Sequence, residues 1–257
     1  MSIPAGGVGG DWILKLPSPS FDALPENEFA VMSLAGRIGI PVPEVRLVRV
    51  EDVSGLPAGM VETGGTALAV RRFDREAVGG RVHMEDFAQV FGVFPEAKYD
   101  GRTYANAAAV VAAAAGQEAA NDFARRLVFS VITGNGDMHL KNWSLLYRDP
   151  LSPTLSPAYD LLCTRVYLPR DRLALRFGDS NRLVGVSADR MRSFAHDARL
   201  PVAPLLRLAG EVAERTRDAW RDLEERGSLP ALIERTVDRT IESLAEATLA
   251  SAGIDPG

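Results

Sequence analysis

The chain has 257 residues, 46% of them apolar, which is enough for a substantial core in one large domain or two modest ones. Its 29 lysines and arginines against 34 acidic residues give a formal net charge of −5, so there is no global basic surface for duplex DNA or an anionic membrane. A single cysteine, Cys163, cannot form an internal disulfide, and the first residues do not resemble a signal peptide. We therefore expect a cytoplasmic protein.

The first third of the sequence predicts a small unit of strands and one helix. The run WILKL, residues 12–16, alternates as a strand that carries Lys15 on the face opposite Leu14. ENEFAVMSLAGRIGIPVP, from residue 26, has helical spacing and ends near Gly39. EVRLVRV and TALAVRRFDR follow as two strands. The glycines of GGVGG, residues 6–10, are expected to be a flexible terminus with no strand before them.

From Met84 onward the sequence becomes mostly helical. MEDFAQVFG, the alanine-rich run from residue 106, NDFARRLVFSVITG and two amphipathic stretches after residue 188 all favour helices. Between them, WSLLY and TLSPAYDLLCT predict a short hairpin and then a loop with an acid. The predicted fold is α+β and two-lobed, with a small mixed lobe at 1–73, a larger helical lobe at 74–257 and a cleft between them.

Four polar residues fall in the order that phosphoryl transfer from ATP requires. Lys15 lies on the first strand, Asp137 precedes Asn142 by five residues, and Asp160 follows the hairpin. A kinase uses a lysine for the phosphates, a carboxylate for the attacking hydroxyl, and an Asn and an Asp for Mg²⁺. Each residue alone is more typical of a turn, a helix cap or a solvated surface than of a kinase site. Their order and placement favour the kinase interpretation.

Several separate motifs in this order resemble the HipA family of bacterial serine/threonine-type kinases, the toxins of HipBA-like toxin–antitoxin systems. The resemblance spans nearly the whole chain and rests on ILKLP, NE, LAVRRFDR, EDFAQVFG, KYD, GNGDMHLKNWS and LSPAYDLL. It implies a two-lobed protein-kinase-like fold that uses ATP and Mg²⁺ to phosphorylate a protein side chain.

Carried over by matching residue, the resemblance makes Asp137 the catalytic carboxylate, Asn142 and Asp160 the Mg²⁺ ligands, and Lys15 the α/β-phosphate lysine, held by Glu28. Six further residues are implied to lie at the nucleotide: Arg71, Arg72, Phe73, His139, Lys141 and Tyr159. The first three fall where the family's hinge meets adenine, mostly through backbone groups. The next two belong to the catalytic loop, and the last precedes the metal-binding acid.

The family's phosphate loop is not found in this sequence. In the family it lies between two strands before the lysine strand, after an additional N-terminal region, whereas only fourteen residues precede Lys15. Two strands and a turn need about ten to fifteen residues before any connection is counted. We therefore expect a chain that is shortened at its N-terminus, that takes the missing part from a separate N-terminal polypeptide, or that binds nucleotide poorly.

Three functions stay open from the sequence. The first is a HipA-like kinase with a bacterial protein as substrate and a HipB-like DNA-binding antitoxin as partner. The second is a kinase for a small molecule, and the third is a catalytically weak kinase fold kept as a binding or regulatory module. No membrane partner is expected, and no direct nucleic-acid binding by the chain alone, because its charge is acidic and no helix-turn-helix signature is present.

Overall fold

Four antiparallel strands form the sheet of the small lobe. The computed structural model describes residues 2–5, 10–56, 64–76, 80–94, 98–99 and 101–252. The strands are β1 (Ser2–Ala5), β2 (Trp12–Lys15), β3 (Val45–Arg49) and β4 (Thr66–Arg71), in the spatial order β1-β2-β4-β3. Lys15, the last residue of β2, lies opposite Leu68 of the central strand β4. The three predicted strands of this region are confirmed.

Strand β1 corrects one expectation. It pairs antiparallel with β2 from Ser2 opposite Lys15 to Ala5 opposite Trp12, so a strand does precede the glycine-rich run. Pro4 within so short a run argues against a strand in the sequence, although an edge strand such as β1 tolerates proline. Residues 6–9, which we expected to be a flexible terminus, lie outside the described residues.

Helix α1 (Leu24–Arg37) joins the two lobes. Pro25 stands in its first turn, where a missing N–H costs nothing, and the chain leaves the helix at Gly39 with a φ of 86° that glycine adopts without strain. Its buried residues, such as Leu34, belong to the large hydrophobic core of the molecule. The sheet has a separate, smaller cluster around Leu14 and Val50. The helix therefore carries small-lobe residues on a support built by the larger lobe.

The larger lobe is mostly helical. Its helices are α2 (Phe87–Val90), α3 (Tyr104–Ile132), α4 (Ala188–Ala198), α5 (Val202–Arg221) and α6 (Ala231–Ala252). Helix α3 begins at a capping box between Thr103 and Asn106 and is interrupted at Gly116, where φ is 86° and ψ is 176°. This break separates the two helical runs that the sequence predicts. Across the described part of the chain, no helix has the length and apolar character needed to cross a bilayer.

The larger lobe also contains two small sheets. One contains β5 (His83–Asp86), β6 (Ser144–Tyr147) and β7 (Thr154–Leu155), and the other contains β8 (Arg172–Phe177) and β9 (Ser180–Arg182). The hairpin of β6 and β7 confirms the prediction for this region. The first half of MEDFAQVFG was wrongly predicted to be helical. There β5 pairs with β6, and the Asp86 capping box starts the helix only at Phe87.

Candidate active site

A cleft of about 1020 Å³ lies between the small lobe and the loops of the larger one. Eight of the eleven residues that the sequence nominates line it: Lys15, Glu28, Asp137, His139, Lys141, Asn142, Tyr159 and Asp160. They come from a strand, a helix, the loop after α3 and the loop after β7. Segments far apart in sequence thus present their polar groups to one space.

Lys15 binds two carboxylates at once. Its Nζ lies 2.5 Å from Glu28 Oε1 and also pairs with Asp160 Oδ1, so one cation is shared by acids from both lobes. Burial raises the pKa of Glu28 to about 7, against the opposing attraction of Lys15. Burial also opposes the charge of Lys15, but the two carboxylates outweigh it and raise the pKa of the ammonium above its ordinary value. The lysine is therefore fixed in place as a cation.

Asn27, which neighbours Glu28 on α1, fastens that helix to the loop after Asp160. Its side chain is fully buried; Oδ1 accepts from the N–H of Cys163 at 2.9 Å and Nδ2 donates to the carbonyl of Cys163 at 3.1 Å. The amide thus replaces the two bonds that a neighbouring strand would make. Burial raises the pKa of the Cys163 thiol to about 11, so the thiol stays protonated at neutral pH. No role for Asn27 could be predicted from the sequence, although it belongs to the NE motif.

The loop between α3 and Asn142 depends on a glycine that has no room for a side chain. A Cβ on Gly136 would lie 2.2 Å from Asp171 Oδ2 and 2.5 Å from the carbonyl oxygen of Arg172. The N–H of Gly136 donates to Thr164 Oγ1 at 2.8 Å, and this hydroxyl in turn lies 2.5 Å from Asp171 Oδ2. Close packing on Asp171 and Thr164 sets the path of the chain immediately before Asp137.

Two asparagine amides connect the proposed catalytic and metal-binding positions. Asn135 Nδ2 donates to the carbonyl of Asp160 at 3.3 Å, while its Oδ1 accepts from the N–H of Asp137 at 3.1 Å. Asn142 Nδ2 donates to the carbonyl of Asp137 at 2.8 Å. These bonds tie the two aspartates and Asn142 into one unit. No pattern in the sequence indicates this role of Asn135.

The carboxylate of Asp137 has a partner that the sequence did not assign. Tyr99 Oη donates to Asp137 Oδ1 at 2.8 Å, and the Tyr99 ring meets the His139 ring edge-on with 5.3 Å between centroids. Burial and the nearby carboxylate raise the pKa of Tyr99 to about 12, so the phenol remains a donor. Burial lowers the pKa of His139, which favours a neutral ring beside the carboxylate. Tyr99 belongs to the KYD motif, the only signal that could have identified it.

Tyr159 acts as a support on the other side of the cleft. Its hydroxyl donates to the carbonyl of Lys141 at 2.9 Å and lies 2.6 Å from Ser144 Oγ. Its ring packs against Phe73, with 5.6 Å between centroids. The next residue, Asp160, has a φ of 60°, a left-handed conformation that Asp tolerates better than most residues. The tyrosine thus fixes the chain where it turns to present the acid.

The chain matches one protein-family model over most of its length. Residues 3–220 match the family described as the HipA-like C-terminal domain. The chain belongs to this family. It is 46% identical to the putative kinase Y4dM of Sinorhizobium fredii over 93% of this chain and 58% of that protein. It is 26% identical to the serine/threonine-protein kinase toxin HipA of Shewanella oneidensis over 73% of this chain and 46% of the toxin.

Solved structures agree on the fold of this HipA-like chain. HipA in the complex of Shewanella oneidensis HipA, HipB and operator DNA superposes with a TM-score of 0.77 at 23% identity, over 95% of this chain and 59% of that one. The Helicobacter pylori proinflammatory kinase CtkA gives 0.59 at 12% identity, over 96% and 89%. The predicted two-lobed kinase-like fold is confirmed. The chain spans about half the length of the curated relatives it matches.

Three residues predicted for the hinge of this HipA-like fold do not line the cleft. Arg71 Nη1 lies 3.3 Å from Glu44, and Arg72 makes a two-pronged contact with Asp74 at 2.9 and 2.7 Å. Phe73 reaches the site only through its contact with the tyrosine before Asp160. Contact of the backbone of this segment with adenine stays a prediction, whereas the arginine side chains are committed to carboxylates.

The residues present fit a Mg²⁺ ion. Asn142 uses its Nδ2 as a donor, and its amide oxygen accepts no hydrogen bond from the described residues, so this oxygen is available to a metal ion. Asp160 supplies a carboxylate in the same cleft. Hard oxygen donors of this kind suit Mg²⁺, which needs only one or two protein ligands beside phosphate and water. No group of three or more His, Cys, Asp or Glu suited to a metal occurs among the residues described.

Proposed function

We propose that this chain carries the phosphotransfer site of a HipA-type kinase, which moves the γ-phosphate of ATP, with Mg²⁺, to a serine or threonine hydroxyl of a bacterial protein. One observation carries the proposal. Lys15, Asp137 and Asp160 come from three distant segments and converge in a single cleft together with Asn142. Each has an alternative explanation alone, but an accidental convergence of all four kinase functions would be hard to explain.

Lys15 and its partners supply the charge at the phosphates. The Lys15 ammonium lies between Glu28 and Asp160. A bound triphosphate would replace part of its contact with Asp160, while Glu28 would keep the lysine in position. Asn142 and Asp160 would hold Mg²⁺, which would neutralise part of the phosphate charge. Glu28 and Asp160 therefore determine where the Lys15 ammonium lies and how strongly it is held.

Asp137 orients the acceptor hydroxyl. As the hydroxyl oxygen forms its bond to the γ-phosphorus, the bond from that phosphorus to the bridging oxygen of ADP breaks, and the hydroxyl proton passes to the carboxylate. Asp137 Oδ1 already accepts from Tyr99, which leaves Oδ2 for the acceptor. The neutral ring of His139 adds no competing cation beside it.

The choice of a protein acceptor and of a partner rests on the relatives. One relative is named a serine/threonine-protein kinase toxin, and one similar structure contains HipA with HipB and operator DNA. These names support a protein hydroxyl as acceptor, a toxin role and a HipB-like DNA-binding antitoxin as partner. The net charge of −5 supports assigning DNA contact to that partner.

Calorimetric titration of ATP with and without Mg²⁺ tests the site. We expect Asp160→Ala to weaken Mg²⁺-dependent ATP binding about tenfold and Asn142→Ala to weaken it less, because each removes one hard oxygen ligand. Metal-free binding should change less in both variants. The matched control is Asp189→Ala, since Asp189 pairs with Arg192 on an exposed helix face and does not line the cleft.

Transfer of radiolabelled phosphate from ATP into bacterial lysate completes the test. Label in protein bands supports the proposal, and label only in small molecules favours a metabolite kinase. Nucleotide binding without any transfer favours a regulatory module. Losses of binding that are equal with and without Mg²⁺ would contradict the metal assignment.

A further inference from the structure

Tyr99 and the residue before it, Lys98, make three separate contacts with the loop that carries Asp137. Its hydroxyl donates to Asp137 Oδ1 at 2.8 Å, and its ring lies edge-on to the ring of His139. The carbonyl of the preceding Lys98 accepts a long hydrogen bond, 3.4 Å, from the N–H of Leu140. The main chain of Lys98 and the ring and hydroxyl of Tyr99 therefore all contact the same loop, so the tyrosine is one of its supports.

Asp137 needs such a partner because its own side chain is exposed. The residue before it and the residue after it are buried, whereas Asp137 projects into the cleft, where a free carboxylate would sample several rotamers. Tyr99 is 45% exposed, but its ring is held by His139 and by the ammonium of Lys98, which lies 4.9 Å from the ring centroid. A fixed donor on one carboxylate oxygen limits the orientations open to the other.

The chemistry of a carboxylate permits both contacts at once. Its two oxygens offer about four acceptor positions, so Tyr99 on Oδ1 and an acceptor hydroxyl on Oδ2 do not exclude each other. The phenol also stays protonated at neutral pH, because burial, Asp137 and nearby Asp171 all disfavour the phenolate. Tyr99 therefore donates and never competes with Asp137 for a proton.

We propose that Tyr99 is a positioning residue for Asp137. Its hydroxyl holds Asp137 Oδ1 so that Oδ2 faces the acceptor hydroxyl. The inference rests on the proposed function. Its opposite is that the Tyr99 hydroxyl fills the place of the acceptor and must leave before transfer. The two ideas predict rate changes of opposite sign when the hydroxyl is removed.

The steady-state rate of phosphate transfer by the Tyr99→Phe variant distinguishes these two ideas. The variant keeps the contact of the ring with His139 and loses only the hydroxyl. We expect kcat to fall about tenfold and KM for ATP to change by less than about twofold. The reason is that a poorly oriented catalytic group lowers the rate and not the binding of substrate in the ground state. The matched control is Tyr147→Phe, because Tyr147 donates to Glu85 Oε2 at 2.7 Å and does not line the cleft. An unchanged or faster rate in Tyr99→Phe would overturn the proposal.

A second measurement does not need activity. In the full chain labelled with 3-fluorotyrosine, the spectrum of Tyr99→Phe identifies the ¹⁹F resonance of Tyr99 among the five tyrosines. Asp137→Asn should move that resonance and leave that of Tyr147 in place. A Tyr99 resonance that does not move would overturn the contact and the inference with it. If wild-type protein transfers no phosphate, the proposed function fails, while the resonance still decides whether Tyr99 holds Asp137.

Discussion

The loop at residues 134–142 and the segment at residues 71–74 are both rich in polar side chains, yet they use them differently. In the loop, the amides of Asn135 and Asn142 bond to backbone atoms of Asp137 and Asp160. In the segment, Arg72 bonds to the side chain of its near neighbour, Asp74. A bond to the backbone fixes the chain itself, whereas a bond between two nearby side chains fixes mainly those side chains.

This difference sets an order of expected effects. Changes in the loop alter the position of the reacting groups or of the chain that carries them. Changes in the segment remove a local ion pair of the kind that contributes little to stability. Three substitutions, from the largest expected effect to the smallest, test whether the contrast holds.

Asp137→Asn should lower phosphate transfer about 10³-fold, because the amide cannot take the proton of the acceptor hydroxyl. The melting temperature should shift by less than about 2 °C, since Asn has nearly the same shape. Radiolabel transfer and a thermal melt measure the two quantities. A variant with the wild-type rate would show that the loop does not supply the base.

Gly136→Ala should lower the free energy of unfolding by about 2 kcal/mol, because the new methyl group meets Asp171 and a backbone carbonyl at distances that force the chain to move. Urea denaturation measures this loss. Gly227→Ala is the control, since no atom outside the adjoining chain lies within 4 Å of a Cβ at Gly227. Equal stability of the two variants would mean that the loop adapts easily and is not set by packing.

Arg72→Ala should lower the free energy of unfolding by less than about 1 kcal/mol, the usual range for an ion pair that water reaches. The Kd for ATP should stay within about twofold, because the Arg72 side chain is engaged with Asp74 and does not line the cleft. Calorimetry and urea denaturation check both. Loss of ATP binding would instead place this side chain at the nucleotide and remove the contrast between the two segments.

The sequence predicts the parts of this site that have local signals. The five-residue spacing from Asp137 to Asn142, the strand with Lys15 and the acid after the hairpin all lie next to recognisable turns and apolar runs. The structure brings these residues to one cleft. The short strand β1 was missed because a proline within so short a run argues against a strand.

The supports of the site could not be predicted in the same way. Tyr99 meets Asp137 across 38 positions of sequence, and Asn27 meets Cys163 across 136. No pattern in a single sequence specifies which distant segment will satisfy a polar group, because the pairing depends on how the lobes pack. Motif spacing thus indicates the chemistry, while its supporting contacts require the three-dimensional structure.

The two bonds from Asn27 to Cys163 limit how this cleft can change shape. Many two-state proteins switch by letting a helix swing away from its neighbours. Here a swing of α1 would leave a buried N–H and a buried carbonyl without partners, a penalty of about 1–3 kcal/mol for each. Glu28 and the Asp160 loop should therefore travel together as one rigid body. Any opening that separates Lys15 from Glu28 would then be a displacement of strand β2 and its sheet, hinged on the connections that enter and leave α1.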